Sequence, residues 1–199
     1  GFLGKHLEKC LHDEGHQISA TLRLGRKCLF DYTDTHFIQD LNTADYSSVC
    51  TNVDAVVHLA ALVHQPKQNN AAMYNQINCD ATLKLAQVAL EQGVKKFVFM
   101  STAGVYFGSN PPFEESLYHH PKTPYARSKL EASKQLLDLF SGVDAQLYIL
   151  RSNLIYGKGG KGNFNSLSNL ISKSPVSPFK QAASLRSYVS VDNLCSFIH

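Results

Sequence analysis

Apolar positions along the chain alternate between two spacings. Phe2, Leu3, Leu7, Cys10 and Leu11 recur at a helical period that ends at Gly15. Residues 17–22 read as a strand, 37–39 as a short strand leading to Asp40, and 46–50 as a helical turn. The Val-rich run 54–59 has the pattern of a buried strand, and 71–91 reads as one long helix stopped by Gly93. A second buried strand, 96–101, carries Phe97-Val-Phe-Met100. A loop rich in Pro and Gly covers 104–124, followed by a helix over 125–140, with Gly142 just beyond it, and a strand over 146–151. Strands alternating with helices of this length predict βαβ units and an α/β fold with a doubly wound parallel sheet. Such sheets bind ligands at the carboxyl ends of their strands.

After Tyr156 the texture changes. A loop rich in Gly and Lys spans 157–162, a helix is predicted over 163–172, and 174–183 is irregular with two prolines. A short strand over 187–191 precedes a final helix for which Asp192 is the expected cap. Residues 157–199 are therefore expected to begin a second, smaller domain after a first one over 1–156. No internal repeat or low-complexity stretch is visible. Gly1 is not a natural start, so the chain is expected to begin inside a motif.

Composition narrows the function. The 199 residues are 44% hydrophobic and 18% charged, as in an ordinary globular protein, and the net charge is only +3. Lys and Arg are dispersed without a basic block, which argues against nucleic acid but allows a pocket for an anionic small molecule. The five cysteines are odd in number and scattered, with no Cys-x-x-Cys pair and no zinc-like Cys/His spacing, so no metal site is predicted. Reduced thiols in a cytoplasmic protein are expected, without a leader segment. The longest apolar run, 56–63, is interrupted by His58 and too short to cross a bilayer, so no membrane partner is expected. His58 itself reads as a packed strand residue rather than a ligand or base.

The candidate chemistry centres on Tyr125 and Lys129 in Pro124-Tyr-Ala-Arg-Ser-Lys129. Four residues apart on a helix, they share a face. An ammonium beside a phenol favours the phenolate, lowering a pKa that starts near 10 and fitting the tyrosine for proton transfer to or from a carbinol. The opening Gly1-Phe2-Leu3-Gly4 precedes a helix, whose amino end and small residues suit a pyrophosphate.

Six segments, in order, resemble the extended short-chain dehydrogenases/reductases, specifically the NAD-dependent epimerase/dehydratase family. Gly1-Phe2-Leu3-Gly4 resembles the second half of its nucleotide fingerprint, whose preceding strand and first glycine are not in the chain. Asp54-Ala-Val-Val-His-Leu-Ala-Ala61 resembles the strand that runs under the cofactor, and Asn78-Cys-Asp-Ala-Thr82 its Asn-x-x-Gly-Thr helix. Phe99-Met-Ser-Thr-Ala-Gly-Val-Tyr106 resembles the strand end that carries a catalytic hydroxyl. Pro124 through Lys129 matches the catalytic helix, and Leu185-Arg-Ser-Tyr-Val-Ser-Val-Asp192 a segment of the substrate domain.

The resemblance implies a Rossmann-type fold, NAD or NADP as cofactor, a UDP-sugar substrate and a homodimer. It implies that Tyr125 takes a proton from a sugar hydroxyl, that Lys129 holds the nicotinamide ribose, and that Thr102 hydrogen-bonds the reacting oxygen, with Ser101 as the second candidate. Gly1, Phe2, Leu3, Gly4, Asp40, Leu41, Leu59, Ala60, Ala61, Asn78 and Ser101 fall on cofactor-binding positions. Asn163 and Arg186 match groups that grip the substrate diphosphate, a role suited to a guanidinium.

Two departures stand out. Arg23 ends the second strand of the family pattern, where an acid usually meets the adenosine ribose, which leans toward NADP. Leu154 replaces an asparagine in Arg151-Ser-Asn-Leu154-Ile-Tyr-Gly157, and with Asn163-Phe164 this resembles a UDP-glucose 4-epimerase-like branch among bacterial surface-polysaccharide enzymes. That branch implies a nucleotide-sugar 4-epimerase working through a transient 4-keto sugar. A UDP-4-keto-sugar reductase using NADPH and a catalytically silent dinucleotide sensor are the competing readings.

Overall fold

The computed structural model of the chain describes residues 1–30, 34–63, 70–107, 114–115, 119–160, 171–172 and 187–199. In order, the elements are α1 (Phe2–Asp13), β1 (Ser19–Arg23), β2 (Asp34–Ile38), α2 (Ser47–Cys50), β3 (Ala55–His58) and α3 (Ala71–Asn75). A π-helical turn (Gln76–Asp80), α4 (Ala81–Glu91), β4 (Lys96–Met100), a 3-10 turn (Ala103–Tyr106), α5 (Pro124–Leu139) and β5 (Gln146–Leu150) follow. β6 (Leu154–Tyr156), β7 (Tyr188–Ser190) and α6 (Val191–Ile198) complete the series.

All the strand pairs among the described residues are parallel, as a doubly wound fold requires. They are hydrogen-bonded as three separate ladders, β1–β2, β3–β4–β5 and β6–β7, rather than as the single continuous sheet expected. Two compact units result: Ser19–Arg151, and Gly1–Ile18 together with Ser152–His199. The break lies at Ser152 and α1 groups with the C-terminal elements, whereas the sequence placed it with residues up to 156.

The core of the Ser19–Arg151 unit forms around β4, which is flanked on both edges and buried on both faces, the reason its sequence is an unbroken apolar run. Phe97 and Phe99 share one face of the strand by its two-residue period. They cluster with Leu85, Ala86 and Ala89 of α4 and Ala132 and Leu136 of α5, and Phe97 packs on Phe140 with ring centroids 5.8 Å apart. The alanines in both helices fill less space than larger residues would. The predicted helix 71–91 is interrupted by the π turn, whose Asn78 carbonyl accepts a hydrogen bond from the Thr82 hydroxyl at 2.9 Å. Such turns insert one extra residue per turn and frequently mark functional positions.

In the other unit, Ser190 caps α6, its hydroxyl oxygen accepting from the Asn193 N–H at 3.1 Å. The expected cap, Asp192, lies inside the first turn. Ser190 has the extended conformation an N-cap needs, and it sits three residues before the N–H it receives. Gly157 packs directly on the fully buried Val191: a Cβ at that position would lie 2.4 Å from Val191 Cγ1. Gly157→Ala is therefore expected to destabilise the protein by about 1–3 kcal/mol through overpacking, visible as a lowered midpoint in thermal unfolding.

Candidate active site

The start of α5 is fixed locally. Thr123 accepts the Ala126 N–H at 3.1 Å as N-cap, and Pro124 occupies the first helical position, where its missing N–H costs nothing. Tyr125 therefore falls in the first turn, half-buried, and Lys129 one turn on is only 1% exposed. The Lys129 ammonium lies 4.4 Å from the centroid of the Phe99 ring, and no carboxylate among the described residues is within ion-pair distance of it.

Thr102 and Ser101, the two candidate hydroxyls at the end of β4, differ sharply. Ser101 is buried, its backbone N–H donates to the Leu150 carbonyl at 2.8 Å, and its hydroxyl meets that of Ser133 at 3.5 Å. Ser133 in turn donates to the Lys129 carbonyl at 2.8 Å, so the Ser101 hydroxyl is committed to the core side of α5. Thr102 is half-buried, and its oxygen accepts the Gly104 N–H at 3.1 Å, leaving its hydroxyl proton free to donate elsewhere. A Cβ on Gly104 would lie 3.3 Å from Thr102 Oγ1 and 3.6 Å from Ala126 Cβ, so the glycine lets the strand-end turn approach the residue next to Tyr125. Arg151, at the end of β5, donates to the Tyr106 hydroxyl and pins the far side of that turn.

Asn78 is fully buried and links three segments. Its carboxamide oxygen accepts the Leu62 N–H at 2.7 Å, while its NH2 donates to the Leu62 carbonyl and to the Ser128 hydroxyl, both at 3.0 Å. Ser128 donates to the Tyr125 carbonyl at 2.8 Å. Both Asn78 donors are thus used inside the protein, and the residue clamps the segment after β3, which includes Leu59, Ala60 and Ala61, to the helix bearing Tyr125. His58, at the end of β3, is also buried, with Nε2 3.0 Å from the Thr82 hydroxyl oxygen.

Electrostatics departs from the sequence expectation at Tyr125. Burial pushes the phenol upward from its ordinary value, and no effect of Lys129 offsets this. Burial also holds Lys129 down at about 7, because an ammonium removed from water without a partner carboxylate favours losing its proton. Burial, followed by the nearby Lys129 charge, depresses His58 to about 3, so it is neutral.

The remaining predicted residues are distributed over both units. Gly1 is the N-cap of α1 and gives its first N–H groups no side-chain acceptor; Phe2, Leu3 and Gly4 form the first turn. Arg23 is exposed at the end of β1, and Asp40 lies beyond β2 on an open groove of about 310 Å³ lined also by Phe37, Ile38, Gln39, Thr43, Ala44 and Asp45. Asp40 accepts from both the backbone and side-chain nitrogens of Asn42 (2.9 and 3.0 Å), and the Leu41 carbonyl accepts from Tyr46 at 2.6 Å. Asn163 and Arg186 lie outside the described residues. Sequence reasoning missed Ser128, Leu62 and the aromatic surroundings of Lys129. The Asn-to-Ser128 link had no local signal, since its partners are 50 residues apart.

The sequence matches the NAD dependent epimerase/dehydratase family over residues 1–199. It is 35% identical to a UDP-glucose 4-epimerase of Vibrio cholerae over 100% of this chain and 62% of that protein. A UDP-glucuronate 4-epimerase of Thermodesulfobacterium geofontis is 29% identical over 98% of this chain and 66% of its own length. The chain thus spans less than two thirds of either relative. Among solved structures, MoeE5 in complex with UDP-glucuronic acid and NAD superposes with a TM-score of 0.83 at 26% identity, covering 100% of this chain and 68% of that one. A UDP-N-acetylglucosamine 4-epimerase from Methanobrevibacter ruminantium gives 0.81 at 27% identity over 98% of this chain and 68% of its own. The fold is accordingly the Rossmann type shared by these proteins.

The buried lysine makes stability depend on pH with a definite sign. Its folded value, about 7, lies below the 10.5 of a free lysine, so between these the unfolded chain holds a proton that the folded one lacks. Stability should rise as pH climbs from about 7 toward 10.5, and the Lys129 contribution should be flat below 7. Lys129→Met should remove that slope and raise the unfolding free energy at neutral pH by an amount on the order of a few kcal/mol. Denaturant titrations of both chains across this pH range measure it.

Proposed function

The chain belongs to the NAD-dependent epimerase/dehydratase family, and from that premise we propose that it forms the catalytic part of a nucleotide-sugar 4-epimerase. The proposed substrate is a UDP-hexose or UDP-N-acetylhexosamine, taken through a transient 4-keto sugar. Relatives named as 4-epimerases of UDP-glucose, UDP-glucuronate and UDP-N-acetylglucosamine support this class without choosing among the sugars. The observation that carries the reading is the Lys129 ammonium, buried one turn after Tyr125 with no carboxylate among the described residues beside it. A structural lysine gains nothing from that position, whereas perturbed ionisable groups of this kind concentrate at functional sites.

The residues present fit a dinucleotide. In one unit, Gly1 gives the first turn of α1 no side-chain acceptor, which suits a pyrophosphate; in the other, the Lys129 donors meet no carboxylate among the described residues, and ribose hydroxyls would partly satisfy them. Bound NAD supplies the hydride acceptor and, when oxidised, a positive charge that favours the Tyr125 phenolate. The rest of the chemistry falls to the chain. Tyr125 takes the proton of the sugar 4-hydroxyl as hydride leaves C4, and gives it back after the hydride returns to the opposite face. The free Thr102 proton hydrogen-bonds the reacting oxygen in both directions. Asn78 acts at one remove as a positioning residue, holding Ser128 and through it the backbone of Tyr125. Asp40 and Leu41 are assigned to the adenosine end, and Asn163 and Arg186 to the diphosphate of the substrate.

One observation favours a second reading. Arg23, exposed at the end of β1, suits a 2′-phosphate, and an NADPH-dependent reductase of a UDP-4-keto sugar would use the same catalytic set.

Incubation of the protein with NAD and UDP-glucose or UDP-N-acetylglucosamine separates the readings. Inversion at C4 without net formation of reduced nicotinamide supports the epimerase, and NADPH consumption only with a 4-keto sugar supports the reductase. Binding of dinucleotide with no turnover of any nucleotide-sugar would reduce the protein to a sensor. Tyr125→Phe should lower turnover by about 10²- to 10⁴-fold while NAD binding persists; an unchanged rate would remove the acid–base assignment.

A further inference from the structure

We propose that Phe99 is the seat of the Lys129 ammonium, a positioning residue whose ring face fixes where the amine is held. The placement stands on geometry alone, while its bearing on turnover rests on the function proposed above.

Phe99 is 0% exposed in β4, and Lys129 Nζ lies 4.4 Å from its ring centroid, well within cation–π range. The ring is itself immobilised. Phe99 pairs directly with His58 across the parallel ladder, and the two rings are stacked at 6.1 Å with an interplanar angle of 11°. His58 is fixed in turn by Thr82. The single Thr82 hydroxyl proton goes to the Asn78 carbonyl, so His58 Nε2 must donate to Thr82 Oγ1, which defines a neutral tautomer protonated on Nε2. A neutral imidazole beside the ring leaves the negative π face unopposed, whereas a charged one would repel the ammonium. Hydrogen bonds thus run from β3 through Thr82 to Asn78 and, by its side chain, through Ser128 to the backbone of Tyr125.

The other titratable and charged groups on the surrounding elements are Cys79 and Asp80 on the π turn, Tyr74 on α3, Lys84 and Glu91 on α4, Lys96 on β4, Tyr106 beside it, Tyr148 on β5, and Tyr125, Arg127, Glu131, Lys134 and Asp138 on α5 itself. Lys129 is shifted by burial and by none of these. The aromatic face is therefore the main favourable interaction the structure offers the charged amine, and losing it should make Lys129 easier to deprotonate.

The test is carbon-13 NMR titration of the lysine Cε resonances, with Lys129 assigned by its disappearance in Lys129→Met. Two variants are compared with the parent: Phe99→Leu, and a chain carrying 3,4,5-trifluorophenylalanine at position 99. The fluorinated ring preserves shape and packing while weakening the negative face, so it reports even if Phe99→Leu fails to fold. The expected result is a fall in the Lys129 midpoint of about 0.4–1.5 pH units for Phe99→Leu, the equivalent of a cation–π contact, and a fall in the same direction for the fluorinated chain. A Lys129 midpoint unmoved, or raised, in the fluorinated chain would overturn the proposal. Because neither substrate nor turnover enters the measurement, its outcome is independent of whether the epimerase reading holds.

Discussion

A lysine ammonium buried in the Ser19–Arg151 unit, with no carboxylate among the described residues to meet it, is the constraint around which the site is arranged. Removing such a charge from water costs far more than a single ring face returns, since a desolvated cation–π contact is worth only about 2 kcal/mol. The protein resolves the conflict in part by weakening the charge, which is why Lys129 lies at about 7. A group poised there changes protonation readily near neutrality, at the expense of stability. That exchange is consistent with the proposed role of Lys129 in chemistry rather than in folding.

The fold delivers the surroundings such a lysine needs. β4, central in its ladder and apolar on both faces, supplies Phe99 to the ammonium and is followed two residues on by Thr102, the N-cap of the 3-10 turn. α5 brings Tyr125 and Lys129 to the same region because Thr123 and Pro124 set its first residue. The π turn directs Asn78 inward, where its carboxamide satisfies both backbone groups of Leu62 and still reaches Ser128. Most polar contacts in this network end on backbone, at Leu62, Tyr125 and the Asn78 carbonyl, so the candidate groups inherit the rigidity of the strands and the helix. Ser101 and Ser133 complete the join between β4 and α5, which commits the hydroxyl at 101 to packing and leaves the one at 102 as the proposed reacting-oxygen donor.

Much of this was legible in the residue pattern. The apolar run at 97–100 fitted a strand covered on both faces, and Gly93 and Gly142 marked helix ends that the structure places within three residues. Tyr125 and Lys129 were readable because a four-residue spacing dictates a shared helix face. Three things were not. The π turn within 71–91 leaves no local trace, because it depends on Asn78 finding Leu62 sixteen residues earlier. The cap of α6 went to Ser190 rather than Asp192, one turn-forming oxygen being indistinguishable from another until the strand end is placed. The direction of the Tyr125 shift was misjudged, since spacing reveals a neighbouring charge but not the burial that outweighs it.

The amine is partly uncharged until it gains hydrogen-bond acceptors, and proton uptake on cofactor binding reads this directly. NAD binding measured calorimetrically at about one pH unit above the Lys129 midpoint, in buffers of differing ionisation enthalpy, should show a heat that varies with the buffer in the sense of a proton taken up by the complex. Lys129→Met should abolish that dependence. Binding that takes up no proton in the parent chain would mean that the amine is either fully charged beforehand or not recharged by the cofactor, and either contradicts the central claim.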